Sequence, residues 1–337
     1  MRMGAANKDY FAELADGVGG AWNRFWFRAV DPFSTSVLRI ASGLMALLYL
    51  CSFNGELTRW FGPQGLLPSN NVRQLTGAAS SASEGAGTVF RFSYFYWLEQ
   101  PVELRIAHVA GLLVVVLFTA GAFTRITSIL SVVVIAAYVH RAPMIAGHLE
   151  PVLIMVMFYL CIAPSGACLS IDRWRAARRE DHDPLQQAAP SVAANIAVRL
   201  IQVHLAGFYI IMALSKLAGF TWWTGESMWW LIAHSESRLV DLTSLHEYLH
   251  VVNAWTHAVV LFELVFPVLI WNRLARPLLL AVSVVMWGTL ALVTGLLAFC
   301  AMMVIAGLAF VPPAGLRAIG CRRSANLPAE PRPAESP

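Results

Sequence analysis

Lys216 is the residue of this sequence whose type and surroundings most directly suggest chemistry. The chain has 24 basic residues, of which only Lys8 and Lys216 are lysines. Lys216 ends an apolar, helix-length run and precedes a turn rich in tryptophan and glycine. An arginine stays charged at any ordinary pH, whereas a lysine removed from water can lose its proton and act as a base or a nucleophile. The alternative is that Lys216 only extends its amine from a helix end to the membrane surface.

Several polar and aromatic residues are expected to surround Lys216. Gln202, Tyr209 and Lys216 are spaced by seven residues, so they lie along one stripe of a helix. His148 opens a neighbouring apolar segment and is the second candidate catalytic residue. The remaining residues of the predicted pocket are Tyr209, Gln202, Glu150, Trp222 and Trp223.

Arg39 and Glu263 are charged residues inside otherwise apolar segments. Each is expected a few helical turns from the same end of its helix, where an unpaired charge would be costly. We therefore predict an architectural Arg39–Glu263 salt bridge, with His204 and Arg199 as alternative partners.

The segment His246–His250 (HEYLH) matches the H-E-x-x-H pattern of zinc metalloproteases. In that pattern two histidines one helical turn apart bind zinc, and the glutamate is the general base. A third ligand is required, and both His257 and Glu263 are poorly spaced to supply it. We expect no metal, and a metalloprotease remains a minor alternative.

The composition indicates an all-α integral membrane protein whose main partner is the lipid bilayer. The chain is 58% hydrophobic and 13% charged, with a mean hydropathy of +0.61, whereas soluble domains are about one-quarter charged. The five cysteines lack the close pairing of metal or redox motifs, so they are interpreted as packing residues. No phosphate-binding glycine motif and no basic–aromatic nucleic-acid face is present, so no nucleic-acid partner is expected.

Apolar segments predict a polytopic helical bundle with about eight spanning helices. Their expected bounds are Phe33–Phe53, Val102–Ala122, Ile126–Tyr138, Leu149–Ala167, Asn195–Leu217, Val251–Trp271 and a hairpin over Arg276–Val311 that breaks at Thr294-Gly295. Ser227–His234 is expected to be re-entrant or interfacial, and the charged segment Asp172–Ser191 is expected to be a solvated loop.

The chain is expected to have one membrane domain, at residues 31–312. Residues 1–30 are expected to form an interfacial N-terminal segment without a cleaved signal peptide, and residues 313–337 a disordered tail. Eight crossings put both termini on the side that carries most of the arginines, which the positive-inside rule makes cytoplasmic. Lys216 is then at the external mouth. A basic cluster is expected beside it: Arg105, His108, His140 and Arg141.

Several short motifs follow one another along the chain. The first motifs are FWFRAVDP, WFGPQGLLP, APSG and SID, at Phe25–Pro32, Trp60–Pro68, Ala163–Gly166 and Ser170–Asp172. The later motifs are SKL, WWTG, SM and FELVFP, at Ser215–Leu217, Trp222–Gly225, Ser227-Met228 and Phe262–Pro267. In this order the motifs resemble those of the HTTM family, the horizontally transferred transmembrane domain that includes the vitamin K-dependent γ-glutamyl carboxylases. The resemblance extends from about residue 20 to residue 312.

This resemblance implies that Lys216 is the base that deprotonates a reduced, vitamin K-like quinone. His148 matches the family only in part, because Gly147 precedes it where the carboxylases have asparagine. The carboxylases continue into a large lumenal β-rich portion that captures the protein substrate, and this sequence has no counterpart to it. Processive carboxylation of proteins is therefore not expected.

Two hypotheses follow for a protein of the bacterial plasma membrane. In the first, the chain is a quinol-oxygenating or carboxylase-like enzyme that uses Lys216. In the second, the same surface binds a lipid or helps to mature a secreted peptide without catalysis. An active Lys216→Arg variant would exclude the first hypothesis, because arginine does not serve as a base at ordinary pH.

Overall fold

The computed structural model describes residues 16–72, 74, 93–98, 100–180, 188–234 and 238–324. The described residues are helical and contain no strand, apart from one isolated antiparallel bridge between Val30 and Ser191. The predicted all-α class is confirmed.

Residues 16–26 are helical, and the α-helices that follow are α1 (Phe33–Cys51), α2 (Leu57–Phe61), α3 (Pro101–Ala120), α4 (Thr124–Arg141), α5 (Leu149–Leu160), α6 (Ile171–Glu180), α7 (Val192–Leu217), α8 (Phe220–Trp223), α9 (Ser227–His234), α10 (Leu249–Leu269), α11 (Ala275–Thr294), α12 (Leu297–Gly307) and α13 (Pro313–Ser324). Short 3₁₀ helices lie at Tyr94–Trp97, Thr243–Tyr248 and Leu308–Phe310.

Five helical segments of the described chain are long and apolar enough to cross a membrane. They are α1, α3, α7, the continuous segment Thr243–Leu269 that contains α10, and α11. Their length and composition support an integral membrane protein.

The predicted count of about eight spanning helices is not confirmed. Helix α5 has 12 residues and α12 has 11, and a helix of that length reaches only about 18 Å, against a hydrocarbon core of about 30 Å. Helix α4 has 18 residues, but it includes Arg125, His140 and Arg141. These three helices are therefore shorter or more polar than the five candidate spans.

The helices pack in two groups, and α12 of the second group also contacts the first. In the first group α1 packs on α3 and α5, and α4 packs on both α3 and α5. In the second group α7 packs on α10, and α11 packs on α12. Because α12 also contacts α1, α5 and α7, it brings the start of α5 close to the end of α7, where Lys216 lies.

The predicted break after Thr294 is confirmed. Gly295 ends α11 with φ 72°, and α12 begins two residues later. A left-handed residue at the end of a helix favours glycine because glycine has no Cβ.

The segment predicted as a solvated loop at Asp172–Ser191 instead begins with helix α6. The Asp172 carboxylate accepts hydrogen bonds from the backbone N–H groups of Phe123 and Thr124, at 2.9 and 2.8 Å, and from the Thr124 hydroxyl. Partial burial alone would raise the pKa of Asp172, but these hydrogen bonds outweigh it and hold that pKa below its usual value. Periodicity did not reveal α6 because Ala177 is the only one of its described side chains that is buried.

The tail predicted to be disordered from residue 313 begins with helix α13, which ends at Ser324. The Arg317 guanidinium binds both oxygens of Asp31, at 2.8 and 3.0 Å, and lies over the ring of Phe33. Leu316 is buried beside it. These contacts with the start of α1 order a segment whose composition alone suggested disorder. Residues 325–337 lie outside the described part of the chain.

Candidate functional site

Lys216 forms an ion pair with Glu263. Its Nζ atom lies 2.6 and 2.8 Å from the two carboxylate oxygens. The Glu263 side chain is fully buried and the Lys216 side chain is 18% exposed. The pair joins the last turn of α7 to the interior of α10, about four helical turns, or roughly 20 Å, after Leu249.

The predicted Arg39–Glu263 salt bridge is wrong. The Arg39 guanidinium donates to the carbonyl oxygens of Ser165 and Leu169, each at 2.5 Å, and the side chain is fully buried. The packing of α1 on α5 carries Arg39 to the chain segment that follows α5. Glu263 faces α7 instead, so its partner is Lys216, which was expected at the external mouth.

A cavity of about 340 Å³ lies beside the Lys216–Glu263 pair. Its lining is mainly apolar and comes from α7, α8, α9, α10, α11, α12 and the start of α5. The residues that matter most for its chemistry are Lys216, Glu263, His148, Trp222, Trp287 and Phe299. The Lys216 ammonium lies 5.2 Å from the centre of a Trp222 ring, and the His148 ring lies 5.5 Å from the Phe299 ring. Lys216, His148 and Trp222 were predicted to share a pocket, and they line one cavity.

The tryptophan-containing turn is positioned by close backbone contact with α10. Gly225 has φ 81°, and a Cβ at this position would lie 2.9 Å from Asn253 and 3.0 Å from His257. The Thr256 hydroxyl donates to the Gly225 carbonyl at 2.7 Å and accepts from the Met228 N–H at 3.2 Å. The turn therefore requires glycine at 225, and it places α8 and α9 beside Lys216.

The other predicted pocket residues do not line this cavity. Tyr209 accepts a hydrogen bond from the Trp287 indole at 2.7 Å, and Gln202 donates to the Ala309 carbonyl at 2.7 Å. Both side chains are buried between helices. The seven-residue spacing therefore identified a packing stripe, of which only the lysine at its end reaches the cavity.

Glu150 and Trp223 also make local contacts. The Glu150 carboxylate accepts from the Gly147 N–H at 2.9 Å. The Trp223 indole donates to the Leu217 carbonyl at 2.7 Å, and its side chain is exposed. Glu150 thus stabilises the start of α5, and Trp223 supplies a hydrogen-bond donor to a carbonyl at the end of α7.

The predicted basic cluster belongs to a different part of the molecule. His108 makes hydrogen bonds with the Tyr138 hydroxyl and the Asn54 side chain, at 2.6 and 3.0 Å. Buried Arg141 donates to the Leu67 carbonyl at 2.6 Å. These contacts hold the segment after α1 against α3 and α4. Among the histidine side chains that the structure describes, His148 is the one that lines the cavity of Lys216.

The H-E-x-x-H match crosses the boundary between two helix types. His246 lies in the 3₁₀ helix Thr243–Tyr248, and His250 lies in the first turn of α10. The His246 ring bonds the Thr243 carbonyl at 2.9 Å. Within the described ranges, no group of three or more His, Cys, Asp or Glu side chains is arranged to hold a metal ion.

Glu263 is the site residue that sequence reasoning assigned to the wrong partner. It is the only acidic residue of α10, as Lys216 is the only lysine of α7. Helix α7 also contains Arg199, and the sequence does not show which helices pack together, so the sequence did not identify this partner. Trp287 and Phe299 carried no signal of their own, because an aromatic residue in an apolar helix is ordinary.

A carboxylate and an amine in direct contact can exchange a proton, so the pair is neutral overall in either form. Beside an apolar cavity it can hold an uncharged aromatic or aliphatic molecule and transfer a proton to or from its polar group. Comparison with family profiles, with curated protein sequences and with solved structures finds no match for this chain.

Proposed function

We propose that this protein is a membrane enzyme that binds a quinol in the cavity of Lys216 and uses Lys216 as the base that deprotonates it. The observation that carries the proposal is the Lys216–Glu263 ion pair, which borders an aromatic-lined cavity of about 340 Å³. That volume is within the range of about 300–1,000 Å³ for small-molecule sites. The motif resemblance to the HTTM family supports a quinol as the substrate.

The proton transfer uses the pair in its neutral form. In that form Glu263 holds the proton and the Lys216 amine carries the lone pair that a base requires. The quinol O–H bond breaks, the Lys216 N–H bond forms, and the quinolate oxygen is left beside the new ammonium. Charge is conserved, because one anion and one cation replace two neutral groups.

The cavity residues have separable roles in this proposal. Trp222, Trp287 and Phe299 contact the ring faces and edges of the quinol. His148 is exposed and lies where α5 begins, so it exchanges protons between the cavity and water. Consistent with the arginine distribution, we propose cytoplasmic termini in a bacterial plasma membrane, with the cavity nearer the external leaflet.

The proposal predicts quinol oxygenation by membranes that contain the protein. With reduced vitamin K and O₂, one oxygen atom enters the epoxide and the other leaves as water. Wild-type membranes should form epoxide above the level of membranes without the protein. Lys216→Ala should abolish this excess, and Glu263→Gln should reduce it by about 10²-fold or more, since acid–base groups contribute about 10²–10⁴-fold.

Lys216→Arg is the decisive variant, because it keeps the positive charge and removes the base. It should bind the quinol and form no epoxide. No epoxide from the wild type, or full activity of Lys216→Arg, would contradict the proposal. Arg105→Gln, an exposed substitution on α3, is the matched control and should match the wild type.

A second candidate function is binding of a lipid or a secreted peptide without catalysis. The exposed apolar side chains of Phe220 and Trp223, 79% and 64% accessible, favour it because they lie in α8, next to the cavity residue Trp222. Under this function Lys216→Arg would keep full biological activity, since charge and shape would be enough.

A further inference from the structure

Three arginines form a cluster near the start of α7. Arg199 lies in α7, Arg28 precedes α1, and Arg276 lies in the first turn of α11. Arg28 and Arg276 are close enough to Arg199 for their charges to repel it. The cluster is about 25 Å from Lys216 along α7, and none of its members lines the cavity of Lys216. The proposed quinol chemistry therefore gives these arginines no role.

The chain before α1 is fixed against the start of α7. The buried Asn195 side chain donates to the carbonyl oxygens of Phe25 and Trp26, both at 2.8 Å. Val30 and Ser191 exchange two backbone hydrogen bonds, at 3.1 and 2.8 Å. These four hydrogen bonds hold the segment that carries the first arginine of the cluster beside α7.

Aromatic contacts connect the other two arginines. The Arg199 guanidinium lies over the Phe25 ring, 4.3 Å from its centre, and the Phe25 ring lies 5.8 Å from a Trp271 ring. Arg276 donates to the carbonyl oxygens of Ile270 and Trp271, at 3.2 and 3.4 Å. The cluster is thus built from α7, the chain before α1 and the turn between α10 and α11.

The arginines of the cluster have neutral partners. Within the described ranges, none of them takes part in an ion pair. Arg199 donates to the Gln202 side-chain oxygen at 2.9 Å, the acceptors of Arg276 are carbonyl groups, and Arg28 is exposed. Three neighbouring positive charges are therefore not compensated by these contacts, and an anion between them would accept charge-assisted hydrogen bonds.

The position of Arg199 along α7 places the cluster at the membrane surface. Helix α7 has 26 residues, so it is about 39 Å long, against a hydrocarbon core of about 30 Å. Arg199 is about 11 Å from the start of α7, which puts it just inside the edge of the core when the helix is centred. A charge at this depth is costly unless an anion or water accompanies it.

Exposed apolar side chains border the cluster on two elements. Trp22 and Phe27, before α1, are 59% and 53% exposed, and Leu274, at the turn before α11, is 88% exposed. Arg273 is exposed beside Leu274. Aromatic and aliphatic side chains mixed with arginines are typical of the depth at which lipid headgroups meet acyl chains.

We infer that Arg28, Arg199 and Arg276 bind the phosphate of an anionic phospholipid, whose acyl chains cover the neighbouring apolar side chains. A soluble anion would have to leave water to reach Arg199, whereas a lipid phosphate already lies at that depth. A zwitterionic lipid carries its own cation and would leave the cluster uncompensated. An anionic amphiphile matches both the charge and the depth of the site.

The experiment titrates the purified full chain in detergent with dioleoylphosphatidylglycerol or dioleoylphosphatidylcholine and measures the rise in Tm above the lipid-free value of each variant. The wild type should bind phosphatidylglycerol more tightly. Arg28→Gln with Arg199→Gln should weaken its binding by about 10- to 30-fold, at roughly fivefold per arginine near a lipid surface. Arg28→Lys with Arg199→Lys should preserve the selectivity, because the charge is kept.

Arg59→Gln with Arg105→Gln removes two exposed arginines elsewhere and should leave the selectivity unchanged. If the double variant at the cluster does not fold, Arg28→Gln replaces it, because this exposed side chain can be changed without loss of packing. Equal binding of the two lipids by the wild type would overturn the inference, and so would unchanged selectivity in the folded cluster variant. Displacement of phosphatidylglycerol by an equal concentration of inorganic phosphate would overturn the assignment to a lipid.

Discussion

At the scale of single residues, the Lys216–Glu263 pair dominates the energetics of the candidate site. A buried charge without a partner costs several kcal/mol, whereas a buried pair is nearly balanced between desolvation and attraction. The intact pair therefore contributes little net stability, but loss of either member alone destabilises the fold. A residue kept at such a cost, beside a cavity, is expected to serve function.

Glu263→Ala should destabilise the protein by about 3 kcal/mol, because it leaves the Lys216 amine without its partner. The double variant Lys216→Met with Glu263→Leu should recover most of that loss, since two apolar side chains replace two charges. Denaturant unfolding in detergent micelles measures both. The double variant should form no quinol epoxide even though it is stable.

This pattern separates a functional pair from a stabilising one. If the double variant were as unstable as Glu263→Ala, the pair would be required for packing. If Glu263→Ala were as stable as the wild type, the charge of Lys216 would have another partner.

At the scale of elements, the turn between α8 and α9 determines the position of Trp222. Gly225 lies against Asn253 and His257 of α10 with a backbone conformation that other residues rarely adopt. The Thr256 hydroxyl joins the same turn to α10. One glycine thus allows two short helices to dock beside the end of α7.

Gly225→Ala should lower the free energy of unfolding by about 1–3 kcal/mol, because it adds backbone strain and a Cβ contact of 2.9 Å. It should also weaken quinol binding, since Trp222 is displaced with the turn. Thermal unfolding and a quinol titration measure the two effects.

Gly207→Ala is the matched control for this prediction. Gly207 lies inside α7, and no heavy atom lies within 4 Å of a Cβ at that position. Alanine there should be neutral or stabilising by up to about 1 kcal/mol, through helix propensity alone. Equal destabilisation by the two substitutions would contradict the role given to Gly225.

At the scale of the whole molecule, contacts distant in sequence hold the helices together at the end opposite the cavity. Arg317 of α13 binds Asp31 at the start of α1, and Arg39 of α1 binds the carbonyls of Ser165 and Leu169. These arginines join the beginning, the middle and the end of the described chain. Because the partners of Arg39 are carbonyl groups, sequence charge patterns contain no sign of that contact.

A double-mutant cycle of Asp31→Asn and Arg317→Met should give a coupling energy of about 1–2 kcal/mol. The pair is bidentate and only partly exposed, with side chains 16% and 32% accessible, so it should exceed the 0.2–1 kcal/mol of an exposed pair. Unfolding of the four proteins in detergent measures the coupling. Additive losses from the two single substitutions would show that α13 is held by apolar contacts such as that of Leu316.

The sequence by itself determined the all-helical class, the apolar segments and the break at Gly295, because these depend on local composition and on backbone freedom. It also singled out Lys216, since a lysine at the end of an apolar segment is unusual in a chain that has only two lysines among 24 basic residues. Its predictions for α6 and α13 were wrong because those helices are stabilised by Asp172 and by the Arg317–Asp31 pair, through contacts with chain segments distant in sequence.

Only the tertiary structure decided that Glu263 pairs with Lys216 and not with Arg39. Depth along a helix is readable from sequence, but the neighbour of a charge depends on which helices pack and on their rotation about their own axes. The same packing buried Tyr209 and Gln202, left Lys216 beside a cavity, and brought His148 to that cavity from a different helix group. The identities of these residues can be read from the sequence, whereas their arrangement as a site results from the packing of α7, α10 and α12.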